Sequence, residues 1–186
     1  MPAVRRRRPE RALARDPRAP REATGGLGDL HEHVQVPLAR LRECLKPVFE
    51  RYRFVILDCP PSLGPLTVSA LVAAERVIVP VQTEYFALEG LAGLLDTLAL
   101  VQRELNPRLT IAGMILTMHD NRTRLGRDVE REVREHFPEL VFSTVIPRNV
   151  RVGEAPSYGL PVTHHDPHSA GASAYFELAK EVAARG

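Results

Sequence analysis

The stretch Arg53-Phe54-Val55-Ile56-Leu57-Asp58-Cys59-Pro60-Pro61-Ser62 runs four apolar residues into one carboxylate and then a double proline. Such a run suits a strand buried on both faces of a parallel sheet. Asp58 then stands at the strand's carboxyl end, where open α/β sheets bind ligands. A carboxylate there can hold Mg²⁺, directly or through water. Pro60 and Pro61 end further pairing and stiffen the turn. Glu84 and Glu89 are candidate acids, either for chemistry or for the positive end of a helix dipole. Cys59 is either a reactive thiol or a small buried residue. His164-His165-Asp166-Pro167-His168 has metal-ligand residue types, but adjacent residues of an extended segment point to opposite faces, a poor geometry for one ion. Thr24-Gly25-Gly26-Leu27-Gly28 is glycine-rich without Gly-Lys-Ser/Thr, so it offers neither a lysine for phosphates nor a hydroxyl for magnesium.

The elements that would position these groups follow from periodicity. Residues 38–51 read as a helix with Leu38, Leu41, Leu45 and Val48/Phe49 on one face and Pro47 interrupting it. A strand at 53–58 follows, then a short helix over 66–74 and a second strand over 76–81 that Pro80 ends. The clearest helix covers 86–105, with Leu88, Leu91, Leu95, Leu98, Val101 and Leu105 at three- and four-residue steps and Asn106-Pro107 as its stop. A third strand spans 109–117. A helix over 124–137 turns Leu125, Val129, Val133 and Phe137 inward and a mixed Arg/Glu face outward. A fourth strand spans 141–146, a long loop 147–167, and a last helix 170–184 with Tyr175, Phe176, Ala179, Val182 and Ala183 toward the core. Strands alternating with helices predict an α/β fold with a parallel, doubly wound sheet of about four strands.

Charge is unevenly placed. Residues 1–22 hold eight arginines against three acids, a local charge of +5; with a net charge of +2, the remaining residues carry −3. The first 37 residues read as a disordered basic tail or an aberrant N-terminus, and residues 38–186 as the folded domain. The arginine run is either a nucleic-acid-binding arm or a solvated tail. No run approaches the ~18 apolar residues of a membrane span, and Cys44 and Cys59 show no metal or redox spacing. A reduced, cytoplasmic setting without membrane is the expectation.

Four stretches in order, Val55–Gly64, Val79–Gly90, Leu116–Thr123 and Val145–Gly159, resemble the ParA/Soj-like partition ATPases, a deviant-Walker branch of the P-loop NTPases. The resemblance covers about residues 38 to 185. It implies ATP and Mg²⁺ as cofactors, with Asp58 as the Walker B acid acting through water and Pro60 in the switch that follows. Met118, Asp120, Pro147, Arg148 and Asn149 fall where the family encloses adenine and ribose. Arg122, Arg124, Arg127, Arg131, Arg148 and Arg151 are candidates for its DNA-contacting patch. The resemblance further implies a homodimer, non-specific binding to nucleoid DNA and a ParB-type centromere-binding partner, in chromosome or plasmid segregation.

The family's Lys-Gly-Gly-x-Gly-Lys-Thr loop is not found here. Asp16-Pro17 and Ala23–Gly28 echo its next stretch, which makes Asp16 a counterpart of the hydrolytic aspartate. Without the phosphate loop, the expectation is a chain that does not hydrolyse ATP alone, and in which strands 54–58 and 77–81 either pair directly or leave the chain poorly folded and aggregation-prone. The alternatives are a nucleotide-independent module that binds DNA or a partner, and a non-functional truncated product.

Overall fold

The computed structural model describes residues 38–60, 62–85 and 87–185. Asp16, the basic stretch and the Gly-rich turn lie outside them. The elements are α1 (Arg40–Phe49), α2 (Pro65–Ala73), β1 (Arg76–Gln82), α3 (Ala87–Glu104), β2 (Thr110–His119), α4 (Arg124–His136), β3 (Val141–Pro147), α5 (Val150–Glu154), a 3₁₀ turn (Ala155–Tyr158), α6 (Val162–His165) and α7 (Ala170–Arg185). Among the described residues they form two compact units, one made of residues 38–74 with Leu88–Pro107, the other of Glu75–Ala87 with residues 108–185.

In the first unit α2 buries every residue from Thr67 to Ala73, and α3 buries Leu91, Leu98 and Val101 from its predicted stripe. Asn106 ends α3 and ties it to α2: its Nδ2 donates to the carbonyls of Leu71 (2.9 Å), Val72 (3.3 Å) and Ala74 (2.7 Å). Helix α1 runs through Pro47 to Phe49 and buries no residue. The strand expected at 53–58 does not form. Residues 54–60 carry no regular structure, Ile56 is 87% exposed and Asp58 is exposed. An apolar run states a preference for burial, but a strand also needs a partner for its backbone groups, and none is supplied among the described residues.

The second unit holds a parallel sheet of order β1-β2-β3, so the strand count among the described residues is three. β1 pairs only with β2 there, from Arg76↔Thr110 to Gln82↔Thr117; the expected direct pairing with 54–58 is absent. Pro80 lies inside β1 rather than ending it. Glu75 O accepts from Thr110 and Thr83 N–H donates to Thr117 O, so odd-numbered residues of β1 turn their backbone groups toward β2. Pro80 faces away, where its missing N–H costs no ladder bond.

Against β3, α7 packs Ala174, Leu178 and Val182 onto Ile115, Phe142 and Ile146. Tyr175 and Phe176, expected inward, are 38% and 50% exposed. In α4, Val129 and Val133 are buried as expected, while Leu125 is 45% exposed. The predicted loop 147–167 winds into α5, the 3₁₀ turn and α6, whose Ala155 and Val162 pack with Val152 and Ala172.

Candidate functional site

The carboxyl ends of β2 and β3 meet at the register pair His119↔Pro147. Just beyond it, Arg148 N–H donates to His119 O at 2.9 Å, which holds the two outgoing chains side by side. An open cavity of about 590 Å³ sits there. His119, Asp120, Asn121 and Arg122 line it from β2, Val145, Pro147 and Arg148 from β3, and Ala170 and Ala174 from α7. This is the end of a parallel sheet where ligands bind. Of the five residues named for a base and ribose, Asp120, Pro147 and Arg148, 28 residues apart in sequence at their extremes, line this cavity, while Met118 and Asn149 do not.

Local chemistry shapes the cavity. Met118 has φ 51°, the one non-glycine residue in the left-handed region among the described residues; such conformations cluster at functional sites. Asp120 O accepts from Thr123 N–H and Oγ1, and Thr123 Oγ1 caps α4 by accepting from Gly126 N–H at 3.1 Å. A Cβ on Gly126 would lie 2.8 Å from Asp120 O, so the turn closes this tightly only with glycine there. The Asp120 carboxylate accepts from Arg122 N–H (3.1 Å), Nε (2.9 Å) and Nη2 (2.7 Å). Those hydrogen bonds, and the charges of Arg122 and Arg148, hold the carboxyl well below the usual range.

Behind the cavity, His119 Nε2 lies 3.3 Å from Glu130 Oε2, and the histidine side chain is 10% exposed. Its Nδ1 is buried without a hydrogen-bond partner. Glu130 also receives Arg134 Nε at 3.0 Å, and Arg134 Nη1 donates to Phe142 O at 3.1 Å. This chain of contacts ties α4 to β2 and β3.

The six candidate arginines are exposed, yet most are held by acids of their own chain. Arg122 is bound to Asp120, Arg124 lies 3.5 Å from Asp128, and Arg131 lies 2.8 Å from Asp128. Arg151 sits between Glu154 (2.8 Å) and Asp166 (3.3 Å), which raise its pKa further. Arg148 Nη2 contacts Glu84 Oε1 at 2.6 Å. Arg127 donates to the Asn121 carbonyl at 2.6 Å instead. Asn149 acts as a cap, its Oδ1 accepting from Arg151 N–H at 2.8 Å. The Arg–acid pairs within α4 had a local sequence signal, opposite charges three and four residues apart. The Glu84–Arg148 and His119–Glu130 pairs depend on tertiary placement.

Asp58 and Pro60 belong to the other unit and are exposed. Beside Asp58, burial and the aspartate charge both raise the Cys59 thiol pKa. Among the described residues no group of three or more His, Cys, Asp or Glu could hold a metal ion. A lone exposed carboxylate does not fit a Mg²⁺ site; the cavity sets the guanidinium groups of Arg122 and Arg148 beside Val145, Pro147, Ala170 and Ala174. His164 and His165 fall on helical α6 rather than an extended segment. No helix among the described residues is long and apolar enough to cross a membrane.

The fold and the placement of this cavity define a nucleotide-type α/β protein. Residues 29–111 match the family model described as AAA domain. The crystal structure of cobyrinic acid a,c-diamide synthase from Mycobacterium smegmatis with bound ATP analog and magnesium superposes with a TM-score of 0.63 at 35% identity. That match covers 82% of this chain and 55% of the other. Within this class the relatives are more specific. The chromosome-partitioning ATPase Soj of Thermus thermophilus is 59% identical over 145 residues, 78% of this chain and 57% of its own length. The sporulation initiation inhibitor protein Soj of Bacillus subtilis is 55% identical over 147 residues, 79% of this chain and 58% of its own. The chain is a relative of the Soj/ParA partition ATPases and spans somewhat over half the length of these relatives.

Proposed function

We propose that the chain serves chromosome or plasmid partition, as a cytoplasmic, nucleoid-associated protein that contacts duplex DNA through phosphates. The cavity at the ends of β2 and β3 is then the base-and-ribose end of an ATP site, with Asp120, Pro147 and Arg148 around the base and sugar. The observation that carries this reading is the His119↔Pro147 register, which brings residues from two distant motifs to one cavity. A homodimer and a ParB-type partner belong to the same reading. Contacts from arginine to phosphate carry no sequence information and weaken with salt.

A second reading, nucleotide-independent DNA binding, is favoured by one observation: Asp58 is exposed on an irregular segment. One experiment addresses both. Electrophoretic shifts of a random-sequence duplex, with and without ATP, are expected to be lost at high salt and weakened by Arg148→Ala plus Arg151→Ala. Shifts that appear only with ATP eliminate the second reading. Binding that ignores both arginines and salt refutes the phosphate-contact reading.

A further inference from the structure

Glu84 follows β1, and its contact with Arg148 joins residues 64 apart in sequence. Both main chains are fixed. Thr83 N–H donates to Thr117 O, and Arg148 N–H donates to His119 O. The side chains are half exposed, Arg148 at 52% and Glu84 at 51%. A half-exposed ion pair of this kind contributes little stability and exchanges readily. The neighbouring cations are held differently: the Arg122 guanidinium by two bonds to Asp120, and Arg151 by two acids. Arg148 has one hydrogen-bonded acid, with the charge of Asp120 close by.

We propose that Glu84 is an internal counter-anion, holding Arg148 in the free protein and yielding it to the phosphate oxygens of an incoming DNA duplex. This rests on the DNA-binding reading above. The exchange breaks one ion pair as it makes another, and the released Glu84 takes up a cation from solution. Arg148 therefore adds less affinity, and frees one fewer salt ion, than an unpaired arginine would.

The test is fluorescence anisotropy of a labelled duplex over a salt series, with circular-dichroism melts to confirm folding. Glu84→Gln is expected to tighten binding roughly two- to fivefold, the worth of one exposed pair. It should also steepen the slope of log affinity against log salt by about 0.9, one additional ion released. Glu177→Gln removes the same charge from α7, where Glu177 pairs with Lys180, and should change neither. In an Arg148→Ala background the Glu84→Gln gain should vanish. An unchanged or weaker Glu84→Gln complex, or a gain that survives Arg148→Ala, overturns the inference. If Arg148→Ala weakens binding but Glu84→Gln does not tighten it, the counter-anion role falls and the DNA reading stands. If neither the parent nor Glu84→Gln binds duplex, both fall. Tightening toward a fluorescent ATP analogue alone assigns the exchange to the cavity and overturns the DNA form.

Discussion

The guanidinium of Arg185 lies 4.1 Å above the centre of the Phe142 ring, clamping the last turn of α7 to β3. The same group donates to the carbonyls of Ala112, Leu140 and Val141. Gly113 leaves room for this stack, because a Cβ there would lie 2.8 Å from Phe142 Cζ and 2.9 Å from Arg185 Nη1. Gly113→Ala should therefore destabilise by about 1–3 kcal/mol through overpacking. Phe142→Ala should cost about 3–5 kcal/mol, as the ring is fully buried. Urea unfolding measures both; a Gly113→Ala midpoint equal to that of the parent would contradict the packing account.

Glu181 gives stability a pH dependence. Burial works to raise its pKa, but the N–H groups of Thr144 (2.9 Å) and Ser143 (2.7 Å), with Arg185, lower it on balance. A carboxyl lowered by folding contributes stability that is present above its unfolded pKa and lost as pH falls through the folded value. Stability should thus decline on acidification below about pH 4.5. Asp120, lowered in the same direction, adds to that decline. Glu181→Gln should flatten the acid limb and cost about 1–3 kcal/mol at neutral pH. Identical acid limbs in parent and variant would show that Glu181 is not responsible.

Asn106 should matter in the first unit. Its side chain serves three carbonyls at the end of α2, and removing the donor leaves buried acceptors unsatisfied. Asn106→Ala is expected to cost about 1–3 kcal/mol. Asn106→Asp should cost more, since a carboxylate would face those carbonyls. Hydrogen exchange should speed up first at the C-terminal turn of α2; uniform acceleration across both units would argue for a different role.

Catalysis by these 186 residues is expected to be absent. Phosphoryl transfer needs charge stabilisation around the phosphates, and Asp58 stands exposed without a cluster to share a metal among the described residues. Purified chain should show no Mg²⁺-dependent ATP turnover, and Asp58→Ala should leave the melting temperature unchanged. Clear turnover that Asp58→Ala abolishes would reverse this conclusion.

Much of the second unit was legible before the structure, because period and punctuation agree there. The apolar runs bounded by turn residues became β2 and β3, and Val129 and Val133 fell inside at helical spacing. Asp120, Pro147 and Arg148 were named together through a motif resemblance rather than through any physical period. Other features depend on what a segment meets. Leu125 and Phe176 share an apolar character with their buried neighbours, but helix rotation is set by the partner surface, here through Ala174, Leu178 and Val182. The run 54–57 asks for a strand, yet among the described residues no ladder receives it. Glu84 and Arg148 sit 64 residues apart, and only the βαβαβ path brings them into contact. The turns of 150–165 each cover five residues or fewer, too short for a period to emerge.

Pro80 also bears on how copies of this protein treat one another. Among the described residues the outer side of β1 has no ladder partner, and there its alternate backbone groups stand as at the rim of a sheet. At the middle of that rim the proline presents a ring in place of a donor. An incoming strand can start a zipper at Ile78 or Gln82 but cannot carry it across the gap. A single residue thus interrupts any ladder that would run the full length of the outer side of β1.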